Sequence, residues 1–212
     1  MTEPYPEKIN EASIIIFIQE GFKMAFFDRL KNQAASAVTN TGKTAGSAGK
    51  TEKIVFDDLP ENMEAFKALP QAALSTPFDT AALTVAALCL YPSDKELCCQ
   101  MLDYLRGPRP MNGMDRQFIA DRFRGKDYVP RSYFEGAAPN NDYMPAKPYT
   151  VTVKSDPHSY DEQGIAKLFI PSGGADDPRP VKLRQAKDGK WYLWEQFLLT
   201  GIREPESSNP WA

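Results

Sequence analysis

Apolar residues recur along this chain with two different periods, and the change between them divides it. From residue 54 to about residue 123 they fall three and four apart, the spacing of one helical face. From residue 149 onward they alternate with polar residues, as in a strand with one side in water. Glu61 to Leu69 reads as a helix with Met63, Phe66 and Leu69 inward, capped by Asp57 or Asp58 with Pro60 in the first turn. Ser75-Thr76-Pro77 opens the next. Its body, Thr80 to Tyr91, is apolar nearly all round and predicts a central buried helix, closed by Pro92. Ser93 and Glu96 stand at capping-box spacing for a third helix, with Leu97, Met101, Leu102 and Leu105 on one face and Gly107-Pro108 as its stop. Met111-Asn112 lead into a fourth, with Met114, Phe118, Ile119 and Phe123 as expected core positions.

In the second half, Tyr149 to Lys154 alternates cleanly, and Ile165 to Ile170 is a second strand. Val181 to Arg184 and Trp191 to Glu195 face each other across Lys187-Asp188-Gly189-Lys190, a hairpin signal that predicts a type I′ turn. Trp191 and Trp194 make this hairpin the expected anchor of the core. No helix-sized segment separates the strands, so neighbours should pair antiparallel. The prediction is an α+β domain over residues 54–212. Its helical N-terminal half packs on one face of a four-stranded antiparallel sheet formed by the C-terminal part. Ile54-Val55-Phe56 is either a strand or a docking segment.

The N-terminal residues read differently. Ile14 to Ile18 is too short to span a bilayer, and Glu3, Glu7 and Glu11 are wrong for the basic opening of a signal peptide. Met24-Ala25-Phe26-Phe27-Asp28-Arg29-Leu30-Lys31 looks like a natural bacterial start, with residues 1–23 as a leader; a purine-rich sequence encoding Glu20-Gly21 would support that reading. Residues 24–39 have helical spacing. Phe26, Phe27 and Leu30 would form the wedge of a helix in contact with a membrane surface; docking on the protein's own domain or on a partner fits the same face. Residues 40–53, small and polar, read as a flexible linker. Ala37 to Thr44, AVTNTGKT, imitates a phosphate loop, but its first glycine is missing, no buried strand precedes it and no helix opens behind it.

Composition narrows the function classes. A formal net charge of −3 gives no reason to expect nucleic acid, which favours a strongly basic face. Cys89, Cys98 and Cys99 make a poor disulfide framework and read as reduced, buried thiols, consistent with a cytoplasmic protein or one peripheral to the inner face of the membrane. His158 is the only histidine and there is no Cys-x-x-Cys pair, so no metal and no cofactor is expected.

Eight residues are candidates for binding. Arg184 and Glu195 sit on adjacent predicted strands beside Trp194, as a functional pair or only a cross-strand ion pair. Arg131 and Tyr133 lie in a proline-fixed, tyrosine-rich loop over residues 128–145, where a ligand could sit. Asp176, Asp177 and Arg179 follow Gly173-Gly174, whose lack of side chains would let a ligand approach the backbone while the acids attract a cation. Arg106, Arg109, Arg116, Arg122, Arg124 and Arg131 crowd the region of the fourth helix. They read as an anion or acidic-partner site or, with Asp115, Asp121 and Asp127 interleaved to pair with them, as a solvated helix face; the interleaved acids favour the second.

GGADDPRPVKLR, KWYLWE, LLTGIREP and NPWA, with LRGPRP and PRSYFEGA, resemble a bacterial domain-of-unknown-function family seen largely in gut Firmicutes, over roughly Phe56 to Ala212. The resemblance implies a shared fold and no particular activity. The sequence therefore points to a non-catalytic binding or interaction domain for a protein partner or small ligand. The alternative is a small-molecule-binding or hydrolytic domain with its cleft between the sheet and the 128–145 loop.

Overall fold

The computed structural model describes residues 49–208, 210 and 211. The leader, the amphipathic helix with Phe26, Phe27 and Leu30, and the linker as far as residue 48 lie outside the described residues. The described part is an α+β domain. β1 (Thr51–Phe56) comes first, followed by helices α1 (Met63–Ala68), α2 (Pro77–Leu88), α3 (Lys95–Arg106) and α4 (Gly113–Phe123). Strands β2 (Tyr149–Lys154), β3 (Ile165–Ile170), β4 (Arg179–Gln185) and β5 (Trp191–Gln196) complete it.

The sheet has five antiparallel strands in sequential order, not four, and the additional one is β1, paired with β2 from Thr51↔Lys154 to Phe56↔Tyr149. Thr51-Glu52-Lys53, read from composition as linker, is the polar half of that strand. Ile54 and Phe56 turn inward and Val55 outward, so the strand alternates even where its sequence looks featureless.

Local chemistry sets where the helices begin. Asn62, not Asp57 or Asp58, caps α1, its Oδ1 accepting from the Ala65 amide at 2.8 Å. Thr76 caps α2, and Pro77 fills the first helical position, where no amide donor is needed. Asp94 displaces the expected Ser93 as the cap of α3. Asn112 and Asp115 form a reciprocal capping box at α4.

The central helix is buried as its composition requires. α2 lies against all five strands, and each of its residues except Asp79 is buried. The Thr80 hydroxyl donates to the Trp191 carbonyl at 2.7 Å and that of Thr84 to the Thr80 carbonyl at 2.8 Å, so neither polar group is left unpaired inside. Val151, Val153, Leu168, Ile170, Val181 and Leu183 supply the other side of this core from the sheet. Leu193 is the buried residue of β5; Trp191 and Trp194 are only half-buried. The tryptophans are not the core's anchor.

Two connections depart from expectation. The β4–β5 turn places only Gly189 in the left-handed region (φ 81°). Its amide donates to the Ala186 carbonyl, and the Ala186 amide to that of Lys190, giving a three-residue loop instead of type I′. Second, β2 and β3 share only the pair Lys154↔Phe169 and then splay apart. Into that wedge comes Phe134, bridging to Val151, with the Glu135 amide donating to the Thr150 carbonyl at 2.9 Å. The tyrosine-rich loop therefore fills a split in the sheet; it does not roof it.

A candidate binding groove at the bulged edge strand

The hairpin register slips once. Lys182 faces Glu195 and Leu183 faces Leu193, so Trp194 is the extra residue of a β-bulge. Bulges re-aim side chains. Here Trp194 lines a cavity of about 350 Å³ between β5 and the α3–α4 corner. Leu102, Met111, Ile119 and Phe118 form its apolar wall, while Arg106, Arg109, Asp115 and Glu195 bring charge. A second, smaller hollow of about 220 Å³ shares Arg106, Arg109 and Trp194 and adds Arg184 and Tyr192.

The guanidiniums of this groove and of the neighbouring α4 fall into two groups. Arg106 reaches Asp115 at 3.3 Å, Arg116 reaches Asp103 at 2.7 Å and Arg124 reaches Asp121 at 2.9 Å, as the interleaved acids suggest. Arg109 and Arg184 instead each lie over the Trp194 ring, 4.7 Å from its centroid, and Arg122 lies 4.9 Å from that of Phe118. Among the described residues these three guanidiniums have no hydrogen-bond or ion-pair partner. Glu195, expected opposite Arg184, takes Lys182 instead at 2.9 Å. Two features of the register account for this: the turn sets Arg184 opposite Tyr192, and the bulge, farther from the turn, sets Lys182 opposite Glu195.

The expected core positions of α4 divide evenly. Ile119 and Phe123 are buried, Phe123 stacking on Tyr91 at 4.1 Å. Met114 is 83% exposed and Phe118 45%, and Phe118 forms the groove's rim.

Of the eight candidate residues, the groove gathers Arg184, Trp194 and Glu195. The others lie elsewhere, and most hold the chain to itself. Tyr133 is buried, and its hydroxyl donates to the Leu198 carbonyl at 2.6 Å. Arg179 donates to the carbonyls of Asp177, Thr200 and Gly201. Asp176 pairs with Arg203 at 2.9 Å, and the Asp177 carbonyl belongs to the Arg179 clamp. Arg131 is exposed on the turn Pro130–Tyr133, away from this groove. The Gly173-Gly174 approach is real, but its occupants are Ala137, Tyr143 and Ile202 of the same chain. Among the described residues no group of His, Cys, Asp and Glu side chains is arranged to hold a metal ion. Sequence reasoning left Arg109 among the arginines near the fourth helix and placed Phe118 in its core, singling out neither for this groove; the signal available was Arg109 directly after the Gly107-Pro108 helix stop.

A hollow does lie beside the 128–145 loop, about 530 Å³ in volume and lined by Lys53, Thr152, Lys154 and residues 133–137. Three of its polar groups are spent on one another. Lys53 and the Thr152 hydroxyl both donate to the Glu135 carboxylate and hold it below the usual carboxylate range.

Tyr192 closes one end of the groove. Burial, reinforced by donation of its hydroxyl to Asp188 at 2.8 Å, pushes its phenol up to about 12. Unfolded tyrosine ionises near pH 10, so at alkaline pH the folded chain keeps a proton that the unfolded chain has lost. The stability owed to neutral Tyr192 is present in full below about pH 10 and is lost as pH rises through about 12. Denaturation midpoints measured across this range should decline less steeply in Tyr192→Phe than in the wild type.

The chain belongs to a family defined as a domain of unknown function (DUF6935), whose model matches residues 58–206. That span contains all four helices, strands β2 to β5 and every residue of the groove. No curated protein and no solved structure matches the chain. No helix among the described residues is long and apolar enough to cross a membrane.

Proposed function

We propose that this domain is a non-catalytic binding module whose recognition site is the groove between β5 and the α3–α4 corner. The observation that carries the reading is Trp194, the extra residue of the bulge, whose ring meets two uncommitted guanidiniums beside an apolar wall. These are recognition chemistries: stacking faces, directional donors and an apolar surface of ligand size. The two carboxylates of the lining are already engaged, Asp115 by Arg106 and Glu195 by Lys182, which supports binding over acid–base chemistry.

A direct test is titration with 8-anilinonaphthalene-1-sulfonate, followed by amide and indole NMR shifts. The expected result is saturable binding that moves the Trp194 indole N–H and the amides of Phe118 and Leu193. Binding should be lost in Trp194→Ala, with near-ultraviolet circular dichroism reporting an intact fold. Shifts confined to another face, or no saturable binding, would remove the groove as the site.

A further inference from the structure

Resting on that reading, we infer that the groove takes an organic anion: a carboxylate or phosphate carried on a compact apolar body. The anion lies between Arg109 and Arg184, and the body lies on Leu102, Met111 and Phe118. Three observations support this.

First, the positive charge here is uncompensated in a chain whose net charge is negative. Arg106, Arg116 and Arg124 each have a carboxylate, whereas Arg109, Arg184 and Arg122 have only aromatic faces. Second, those resting places are weak. An exposed cation–π contact is weaker than a charge-assisted hydrogen bond. A guanidinium therefore gains by leaving the face of the Trp194 ring for a bidentate anion. Third, both acids of the lining already have a cationic partner of their own, Asp115 in Arg106 and Glu195 in Lys182. The cavity of about 350 Å³ suits one small side-chain-sized body, and the adjoining hollow of about 220 Å³, which Arg109 and Arg184 both line, suits its headgroup.

The test compares N-acetylphenylalanine with its neutral isostere N-acetylphenylalaninamide, by calorimetry and by the Trp194 indole shift. The acid is expected to bind wild type at least tenfold more tightly than the amide. That preference should vanish in Arg109→Gln/Arg184→Gln while amide affinity stays unchanged, and it should shrink with added sodium chloride. Lys167→Gln, an exposed cation elsewhere on the sheet, should leave it intact. Phenyl phosphate, run in parallel, separates the two headgroups: tighter than the acid assigns phosphate, weaker assigns carboxylate. Equal binding of acid and amide to wild type overturns the anion inference and leaves the groove standing. Binding of none of these probes, nor of 8-anilinonaphthalene-1-sulfonate, overturns both.

Discussion

Replacing Gly173 by alanine is expected to destabilise the domain by about 3 kcal/mol, the upper end of what overpacking a tight interior contact costs. An added Cβ would lie 1.8 Å from the Ala137 carbonyl oxygen and 2.9 Å from its carbon, both backbone atoms. Neither side can yield cheaply. The Gly173 amide donates to the Ser132 carbonyl at 2.9 Å, and the Ser172 hydroxyl donates to that of Ser132, which itself donates to the Val129 carbonyl. Across the gap, Ala137 is held by its amide to the Phe134 carbonyl, and the Ala138 carbonyl accepts from the Tyr143 amide. For a domain of this size the expected loss corresponds to a fall in Tm of roughly 6–12 °C. Urea denaturation should show a lower midpoint with an unchanged slope. Gly113→Ala is the control: an added Cβ there meets nothing within 4 Å, and the position is the first of α4. A wild-type midpoint for Gly173→Ala would mean the two segments do not approach as described.

The elements that are legible in the sequence are those whose pattern leaves one solution. An apolar run such as AALTVAALCL can only be buried, and Pro77 and Pro92 bracket it. The strand pairs of the last third are equally determined, because two alternating runs across Asp-Gly have no other partner as near. β1 was hidden because its first half, Thr51-Glu52-Lys53, continues the polar composition of the run before it; its pairing is supplied by β2, almost a hundred residues on. α4 carries two apolar stripes, and its sequence does not say which of them a neighbour covers. Ile119 and Phe123 found Tyr91 and the core, while Met114 and Phe118 did not.

The groove was half legible for a related reason. Trp-Tyr-Leu-Trp is apolar on both faces of a strand, so a one-residue slip leaves no trace in the pattern. That slip nevertheless decides whether Lys182 faces Trp194 or Glu195. The loop residues misled in the opposite direction. Tyrosine, arginine and a glycine pair have the chemistry of a binding site, and the same donors serve equally well against carbonyls of their own chain. Tyr133 finds Leu198 and Tyr143 finds Arg203, partners that no local spacing announces.

Arg179 makes that alternative measurable. Arg179→Ala is expected to cost about 3 kcal/mol, because it removes three charge-assisted hydrogen bonds at once. Nε donates to the Thr200 carbonyl at 3.0 Å, Nη2 to Gly201 at 2.6 Å and Nη1 to Asp177 at 3.1 Å. The sum of three such bonds would be larger, but carbonyls near the surface rehydrate once the fork is gone. Arg179→Lys should recover less than half of the loss, since a point-like ammonium cannot reach three carbonyls arranged around a planar guanidinium. Hydrogen exchange locates the effect: amides from Leu198 to Arg203 should exchange faster in both variants, while those of α2 follow only the global change. The two assignments of this residue predict opposite outcomes. A ligand-binding arginine would leave stability and exchange untouched when removed, whereas one that fastens the C-terminal segment must loosen the stretch whose carbonyls it holds.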